Sequence, residues 1–168
     1  VMIPLEIVVR NRVAGSLAKR LNEKEGRILP EPIVEFFVKY DAQGDPQISE
    51  AAWLDFRKRT LPQAAEELAQ MKQLAFAVNQ TLRPLMNDKG MDLVDFKIEV
   101  GRDPQGLLRV ADEISPDTAR IWDIRSGEKL DKDRFRFDLG DLLEGYRKVM
   151  DRLQVKTPAQ PGKDCNSG

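Results

Sequence analysis

Hydrophobic positions follow a strand-like pattern at the front of the chain and a helix-like stripe in its middle. Residues 4–9 and 33–39 are rich in β-branched and aromatic side chains and predict two strands. The central stripe repeats at alternating spacings of four and three, the period of a helix. Its apolar positions are Ala64, Leu68, Met71, Ala75, Val78, Leu82 and Leu85. We expect this face to pack in the core, with Thr60 as the N-cap and Pro84 kinking or ending the last turn.

After Gly90 the pattern changes to strict alternation, which predicts a strand with one apolar and one charged face. Its apolar positions are Val94, Phe96, Ile98 and Val100, and the charged positions between them are Asp95, Lys97 and Glu99. A turn at 102–106 and an apolar segment at 107–111 complete a predicted hairpin. The charged row is typical of the solvated face of an antiparallel sheet. It would also line up a cation and two anions for a metal-bound, phosphorylated or carboxylated substrate.

The remaining segments complete the fold prediction. A short helix is expected at 17–21 with Ser16 as its N-cap, and an amphipathic helix at 142–153. Residues 112–138 are charged and irregular, and the mixed run at 129–136 is typical of a solvated face. The pattern as a whole predicts an α+β fold, in which a long helix and a C-terminal helix pack on a mainly antiparallel sheet.

Composition narrows the chemistry. The 168 residues include no histidine and one cysteine, and 27 Lys and Arg nearly balance 28 Asp and Glu. Without histidine, Ser-His-Asp and Cys-His centres and His-ligated zinc are excluded. A protein with a single cysteine is expected to be cytoplasmic. No segment has the about 20 consecutive apolar residues that a membrane-spanning helix needs. The balance of positive and negative charge predicts no nucleic-acid partner. A site built from carboxylates, cations and hydroxyls suits phosphates and magnesium.

Two clusters could carry that chemistry. Arg10, Arg12 and Ser16 fall in a predicted loop and helix start, which would form a phosphate cradle or an ordinary N-cap with surface arginines. The acids of residues 112–117 would come beside Glu99 in the hairpin and form an oxygen-only magnesium site. Because Ser-Pro-Asp is itself turn-forming, a plain turn is the alternative there.

Five segments of the sequence, in this order and at this spacing, resemble one family. They are residues 4–16 (PLEIVVRNRVAGS), 41–46 (DAQGDP), 93–101 (LVDFKIEVG), 111–123 (ADEISPDTARIWD) and 130–136 (LDKDRFR). Together they resemble the phosphoribosylaminoimidazole-succinocarboxamide synthase (SAICAR synthetase) family over nearly all of residues 3–153. In that family ATP phosphorylates the carboxylate of carboxyaminoimidazole ribonucleotide, and the amine of L-aspartate then displaces phosphate to form an amide. The resemblance implies an ATP- and magnesium-dependent carbon–nitrogen ligase of purine biosynthesis with small-molecule substrates.

The resemblance also implies roles for particular residues, carried over by motif position. Lys97, Asp95 and Asp117 would line the ribonucleotide and aspartate pocket as catalytic residues. Glu99 and Asp112 would be magnesium ligands. The residues that would bind the anionic substrates are Arg10, Ser16, Arg120, Lys132 and Arg136.

The resemblance is to the C-terminal portion of the family, so an N-terminal nucleotide lobe, with a flap over the ATP phosphates, is expected to be missing before Val1. Residues 1–9 would lead in from that lobe, 10–153 would bind substrate and metal, and 154–168 would be a disordered tail. We expect poor product formation by the isolated chain, and uncovered surface favouring a homo-oligomer or disorder near residues 1–9. A non-catalytic ribonucleotide-binding or oligomerisation remnant and a kinase-like phosphotransferase are the alternative functions.

Overall fold

The computed structural model describes residues 1–40, 44–136 and 141–154, except for the side chains of residues 135, 136 and 142. Within these residues the chain forms six strands and five helices. In chain order they are β1 (Met2–Arg12), α1 (Gly15–Leu21), β2 (Ile28–Val38), β3 (Gln47–Ile48), α2 (Glu50–Lys58), α3 (Ala64–Asp88), β4 (Met91–Arg102), β5 (Leu108–Val110), β6 (Ala119–Asp123), α4 (Asp133–Arg136) and α5 (Leu142–Leu153).

All six strands belong to one antiparallel sheet, in which β1 and β4 are the central pair. The strand order is β3-β2-β1-β4-β5, and β6 also pairs with β4. Because β4 has 12 residues, its beginning pairs with β6 while its end pairs with β5. The predicted hairpin and the α+β class with a mainly antiparallel sheet are confirmed.

The register of the central strands decides which charged residues meet. Glu6 lies opposite Glu99, and Arg10 lies opposite Asp95, across the β1–β4 pair. Since alternate residues of a strand point to the same face, these four side chains share one face of the sheet. Asp95 is in turn paired with Arg120 of β6. Cations and carboxylates from three strands therefore lie on one face of the sheet.

The other face of the sheet packs against α3 to form the core. The predicted stripe of α3 is buried at Leu68, Met71 and Ala75, whereas its last member, Leu85, is 45% exposed. The buried sheet residues in this core include Ile7, Val9, Phe36, Phe96 and Ile98. Burial of large apolar side chains at about 25 cal/mol per Å² is the main term that holds this layer together.

The start and end of α3 differ from the prediction. Gln63 is the N-cap, and Thr60 instead donates a hydrogen bond from Oγ1 to the Arg57 carbonyl at the end of α2, a helix that sequence reasoning missed. Pro84 does not end α3, which continues to Asp88. Both Pro84 and Gln80 are exposed, so the Gln80 carbonyl that Pro84 cannot bond is open to water.

Two predictions near the N-terminus are wrong. Residue Arg10 belongs to β1, which continues to Arg12, because these residues keep pairing with neighbouring strands beyond the expected loop. Ser16 is not a cap: α1 starts at Gly15, and its N-cap Ala14 makes no side-chain cap bond. The strand predicted at 4–9 is confirmed as part of β1, which pairs with β2 and β4.

The charged region at 112–138 contains β6 and α4, which were not predicted, whereas α5 has the expected bounds. Residues 41–43, 137–140 and the proposed tail at 155–168 lie outside the described residues. In the part of the chain that the structure describes, no helix combines the length and apolarity needed to cross a membrane.

Candidate functional site

At the centre of the charged face, two arginines share one buried carboxylate. Arg10 donates from Nη1 to Asp95 Oδ2 at 2.9 Å, and Arg120 donates from Nη1 to both oxygens of Asp95 at 2.9 and 3.2 Å. The side chains of Arg10 and Asp95 are only 3% and 5% exposed. Two guanidiniums are thus held side by side by one anion inside the fold.

A second carboxylate anchors the Nε of each arginine. Glu35 Oε2 accepts from Arg10 Nε at 2.6 Å, and Asp133 Oδ2 accepts from Arg120 Nε at 2.7 Å. Burial disfavours the charge on Arg120, but Asp95 and Asp133 outweigh this effect and raise the pKa of the guanidinium above its usual value. Both arginines are therefore permanent cations in fixed orientations.

The remaining nitrogens of these arginines face the start of α1. Arg10 Nη2 donates to Ser16 Oγ at 2.9 Å. The Arg120 guanidinium lies against Gly15, whose φ is +53°. Among the described residues, Nη2 of Arg120 has no hydrogen-bond partner. Glu25 Oε1 accepts from the Gly15 N–H at 2.7 Å. The guanidiniums and the Ser16 hydroxyl are thus donors that can bind an anion, whereas the Gly15 N–H is already bonded to Glu25.

Gly15→Ala should weaken anion binding at this point by about tenfold or more. A Cβ there would come within 3 Å of the Arg120 guanidinium, and alanine is strained at this positive φ. Arg120 cannot move aside without losing its bonds to Asp95 and Asp133. Titration of the variant with inorganic phosphate measures the effect, with Gly106→Ala, another positive-φ glycine whose Cβ meets nothing within 4 Å, as the matched control. Equal phosphate affinity in the two variants would contradict the expectation.

A pocket of about 270 Å³ opens over this cluster. Six of the predicted site residues line it: Arg10, Ser16, Asp95, Lys97, Arg120 and Lys132. A larger, open cavity of about 1200 Å³ lies beside it and shares Ser16 and Arg120. A ligand whose anionic group bound the arginines would therefore have room to extend in either direction.

Further along the same face, acids and lysines alternate. Lys97 Nζ donates to Glu6 Oε1 at 2.5 Å, and Lys39 Nζ donates to Glu99 Oε1 at 2.6 Å. Burial disfavours the charge on Lys97, yet its hydrogen bond to Glu6 and the nearby acids Glu99 and Asp112 raise the pKa of its amino group. At neutral pH Lys97 is therefore a cation and not a general base.

Asp112 belongs to this second group. A hydrogen bond with Glu113 and the charges of Lys97 and Lys39 hold the pKa of Asp112 below its usual value, against the effect of burial. No three acidic side chains among the described residues are arranged to hold a metal ion. Magnesium, however, is commonly bound through one or two carboxylates, with phosphates and water completing its shell. Glu99 and Asp112 fit that donor set, provided that Lys39 leaves Glu99.

Of the other predicted residues, Asp117 does not line the pocket, and the side chain of Arg136 is not described. Asp117 is exposed on the turn before β6, where its N–H bonds Ser115 Oγ at 3.2 Å. The backbone of Arg136 ends α4, but its side chain is not described. Arg12, which the sequence grouped with Arg10, instead binds Asp92 and the Gly26 carbonyl.

Sequence reasoning found Asp95 but missed Glu35 and Asp133, the other two carboxylates that hold the arginines. Glu35 interrupts the apolar β2 strand, and that interruption was the one available signal. Asp133 lies in the run interpreted as a solvated face, yet its side chain is 1% exposed. That interpretation is wrong for Asp131 and Asp133, because both are enclosed between β6 and the last helices.

Comparisons with known proteins bear on the family and the fold of the chain. The family model for SAICAR synthetase matches residues 1–153. Phosphoribosylaminoimidazole-succinocarboxamide synthases of Persephonella marina and Shouchella clausii are 51% and 53% identical over 157 and 154 residues. The matches cover 92% and 90% of this chain but 63% and 62% of those proteins. A solved SAICAR synthetase in complex with ADP is similar at a TM-score of 0.84 and 46% identity, over 94% of this chain and 65% of that one.

The chain therefore spans a little under two thirds of the length of the curated relatives it matches. Within that span both the sequence and the path of the backbone agree with theirs, and the match includes every strand and helix described above. The chain therefore belongs to the SAICAR synthetase family.

Proposed function

We propose that this chain carries the ribonucleotide site of an ATP-dependent ligase that joins L-aspartate to carboxyaminoimidazole ribonucleotide. The observation that carries the proposal is the pair of buried arginines, Arg10 and Arg120, which are fixed around Asp95 beside Ser16. The relatives named for this reaction support the choice of substrate. A relative solved with ADP supports a nucleotide as co-substrate.

The 5′-phosphate of the ribonucleotide is assigned to the arginines and Ser16. A phosphate accepts several charge-assisted hydrogen bonds, and a planar guanidinium matches its oxygens well. Among the described residues Arg120 Nη2 has no hydrogen-bond partner, and Arg120 and Ser16 both line the two adjoining cavities. Because Arg10 and Arg120 are already oriented by carboxylates, little ordering of side chains opposes binding.

The row of Lys97, Glu99 and Asp112 is assigned to the reacting end of the substrate. Lys97 is a fixed cation that would hold the substrate carboxylate by charge while it is phosphorylated. Glu99 and Asp112 would hold magnesium, which when bound neutralises phosphoryl charge. Attack by the amine of aspartate on the acyl phosphate forms the C–N bond, releases phosphate and needs no histidine or thiol. Lys132 lines the same pocket, and Asp117 and Arg136 are assigned to the aspartate side by family position.

Glu99→Gln should weaken magnesium-dependent nucleotide binding by about tenfold or more while the fold is kept. The amide retains the size of the side chain but loses the negative charge that a divalent cation needs. Lys39, half-exposed, can turn to solvent in the variant. Magnesium titration in the presence of ATP gives the result, with Glu50→Gln, an exposed acid bonded to Lys72, as the control. An unchanged magnesium titration would remove Glu99 from the site.

Formation of the ligation product tests the proposal as a whole. The chain is incubated with carboxyaminoimidazole ribonucleotide, ATP, magnesium and L-aspartate, and the succinocarboxamide product is followed by mass spectrometry. We expect product that requires all four components and is lost with Lys97→Met. A protein that binds the ribonucleotide but forms no product would be a non-catalytic remnant instead. The rate relative to a full-length relative separately tests the expectation of poor turnover.

A further inference from the structure

A fully buried carboxylate connects β6 to the start of α4. Asp131 Oδ1 accepts from the Asp133 N–H at 2.8 Å, and Asp131 Oδ2 accepts from the Ile121 N–H at 2.8 Å. The residue has no exposed surface. One side chain therefore fixes the distance between two backbone N–H groups, those of Ile121 and Asp133, that are twelve residues apart in the sequence.

Those two segments carry the two partners of a site ion pair. Arg120 directly precedes Ile121 on β6, and Asp133 is the first residue of α4. Asp133 Oδ2 is the acceptor of Arg120 Nε at 2.7 Å. If the bridge made by Asp131 opened, Asp133 would move relative to β6 and Arg120 would lose the contact that sets the plane of its guanidinium.

We propose that Asp131 is a positioning residue for ribonucleotide binding: it holds Asp133 in the place where Asp133 orients Arg120 toward the phosphate. The proposal rests on the proposed function, because it assumes that Arg120 binds the phosphate. Asp131 is not among the residues that line the pocket, and it acts on Arg120 through its bonds to the backbone of Asp133 and Ile121.

The ionisation of Asp131 gives this role a pH dependence. Burial raises the pKa of Asp131 to about 6, although two N–H groups donate to it. Asp133 from α4 raises this pKa further, and Arg120 from β6 lowers it. Tyr146 on α5 also faces Asp131, and burial together with the charges of Asp117 and Asp131 raises the pKa of Tyr146. A protonated carboxyl has one oxygen that is a poor acceptor, so the bridge weakens as the pH falls through about 6. Because the chain has no histidine, no imidazole titrates in the same pH range as Asp131.

The experiment compares Asp131→Asn with the same substitution of a matched carboxylate at the end of β6, Asp123. Asp131→Asn keeps the shape of the side chain but turns one acceptor into a donor, which faces an N–H. Asp123, at the other end of β6, is also buried and also accepts backbone N–H groups, those of Arg125 and Ser126. Asp123→Asn should therefore disturb the fold similarly without reaching Arg120. We expect carboxyaminoimidazole ribonucleotide to bind Asp131→Asn about tenfold more weakly, as for other carboxylates that orient a ligating side chain, and Asp123→Asn within about twofold of the wild type.

Sulfate is the second probe, because its charge does not change between pH 5 and pH 8. Wild-type affinity for sulfate should fall as the pH is lowered through about 6, and the Asp131→Asn profile should be flat. Equal affinity of the two proteins at every pH, or an equal loss in Asp123→Asn, would overturn the positioning role while leaving the site intact. A wild-type protein that binds neither probe would overturn the proposed phosphate site together with this inference.

Discussion

Arg10→Ala should lower the affinity for carboxyaminoimidazole ribonucleotide by about 100-fold. A hydrogen bond to a charged group contributes about 1.5–3 kcal/mol, and each 1.4 kcal/mol is a factor of about ten in affinity. The fold should survive, because Glu35 keeps Arg20 and Gln47 as partners and Asp95 keeps Arg120. Calorimetric titration measures the affinity directly.

The matched control for this variant is Arg109→Ala, since Arg109 is 63% exposed and forms an ion pair with Asp103 on the β4–β5 hairpin, outside the residues that line the pocket. Ser16→Ala offers a milder second variant that leaves no buried charge unpaired, with an expected loss of about five- to tenfold. Unchanged affinity in both Arg10→Ala and Ser16→Ala would show that the phosphate binds elsewhere.

Asp95→Ala should destabilise the protein by about 3–5 kcal/mol, the cost of removing one partner from a buried ionic group. Arg10 and Arg120 would then face each other without the anion that separates them. For a chain of this size the expected fall in Tm is about 10 °C. Thermal unfolding followed by circular dichroism gives the value, and Asp55→Ala, which removes an 81% exposed acid paired with Arg59, should leave Tm unchanged.

Added phosphate should partly restore the stability of Asp95→Ala. Inorganic phosphate can take the place of the lost carboxylate between the two guanidiniums, so it should raise the Tm of Asp95→Ala more than that of the wild type. A Tm within 2 °C of the wild type (about 1 kcal/mol or less) would mean that Asp95 does not hold the arginine pair. Destabilisation without any rescue by phosphate would mean that the pair is structural and does not bind anions.

Much of the fold could be predicted because its pattern is local. The alternation in β4 and the stripe of α3 each lie within one segment, and both formed as expected. By contrast, α2 has no sustained apolar period, and its one buried anchor is Trp53. β6 has only five residues and lies within a charged region. Short elements of this kind are stabilised by tertiary contacts, which a single sequence does not reveal.

The burial of the candidate site was harder to predict for a different reason. By pattern alone the row of Asp95, Lys97 and Glu99 favoured a solvated face, and its enclosure depends on the register with β1, 85–93 residues away. Two residues in particular, Glu35 and Asp133, could be found only once that register had placed Arg10 and Arg120 around Asp95. The pattern of charged residues alone did not decide between a functional site and a solvated face. The site residues were chosen from the resemblance to a family.

The proposed function depends most on the binding of a ribonucleotide phosphate to Arg10, Ser16 and Arg120. The direct measurement is a pair of calorimetric titrations of the chain, one with carboxyaminoimidazole ribonucleotide and one with the same riboside without its 5′-phosphate. We expect the ribonucleotide to bind at least about 100-fold more tightly, and Arg10→Ala to remove most of that difference. Equal affinities for the ribonucleotide and the riboside would contradict the central claim.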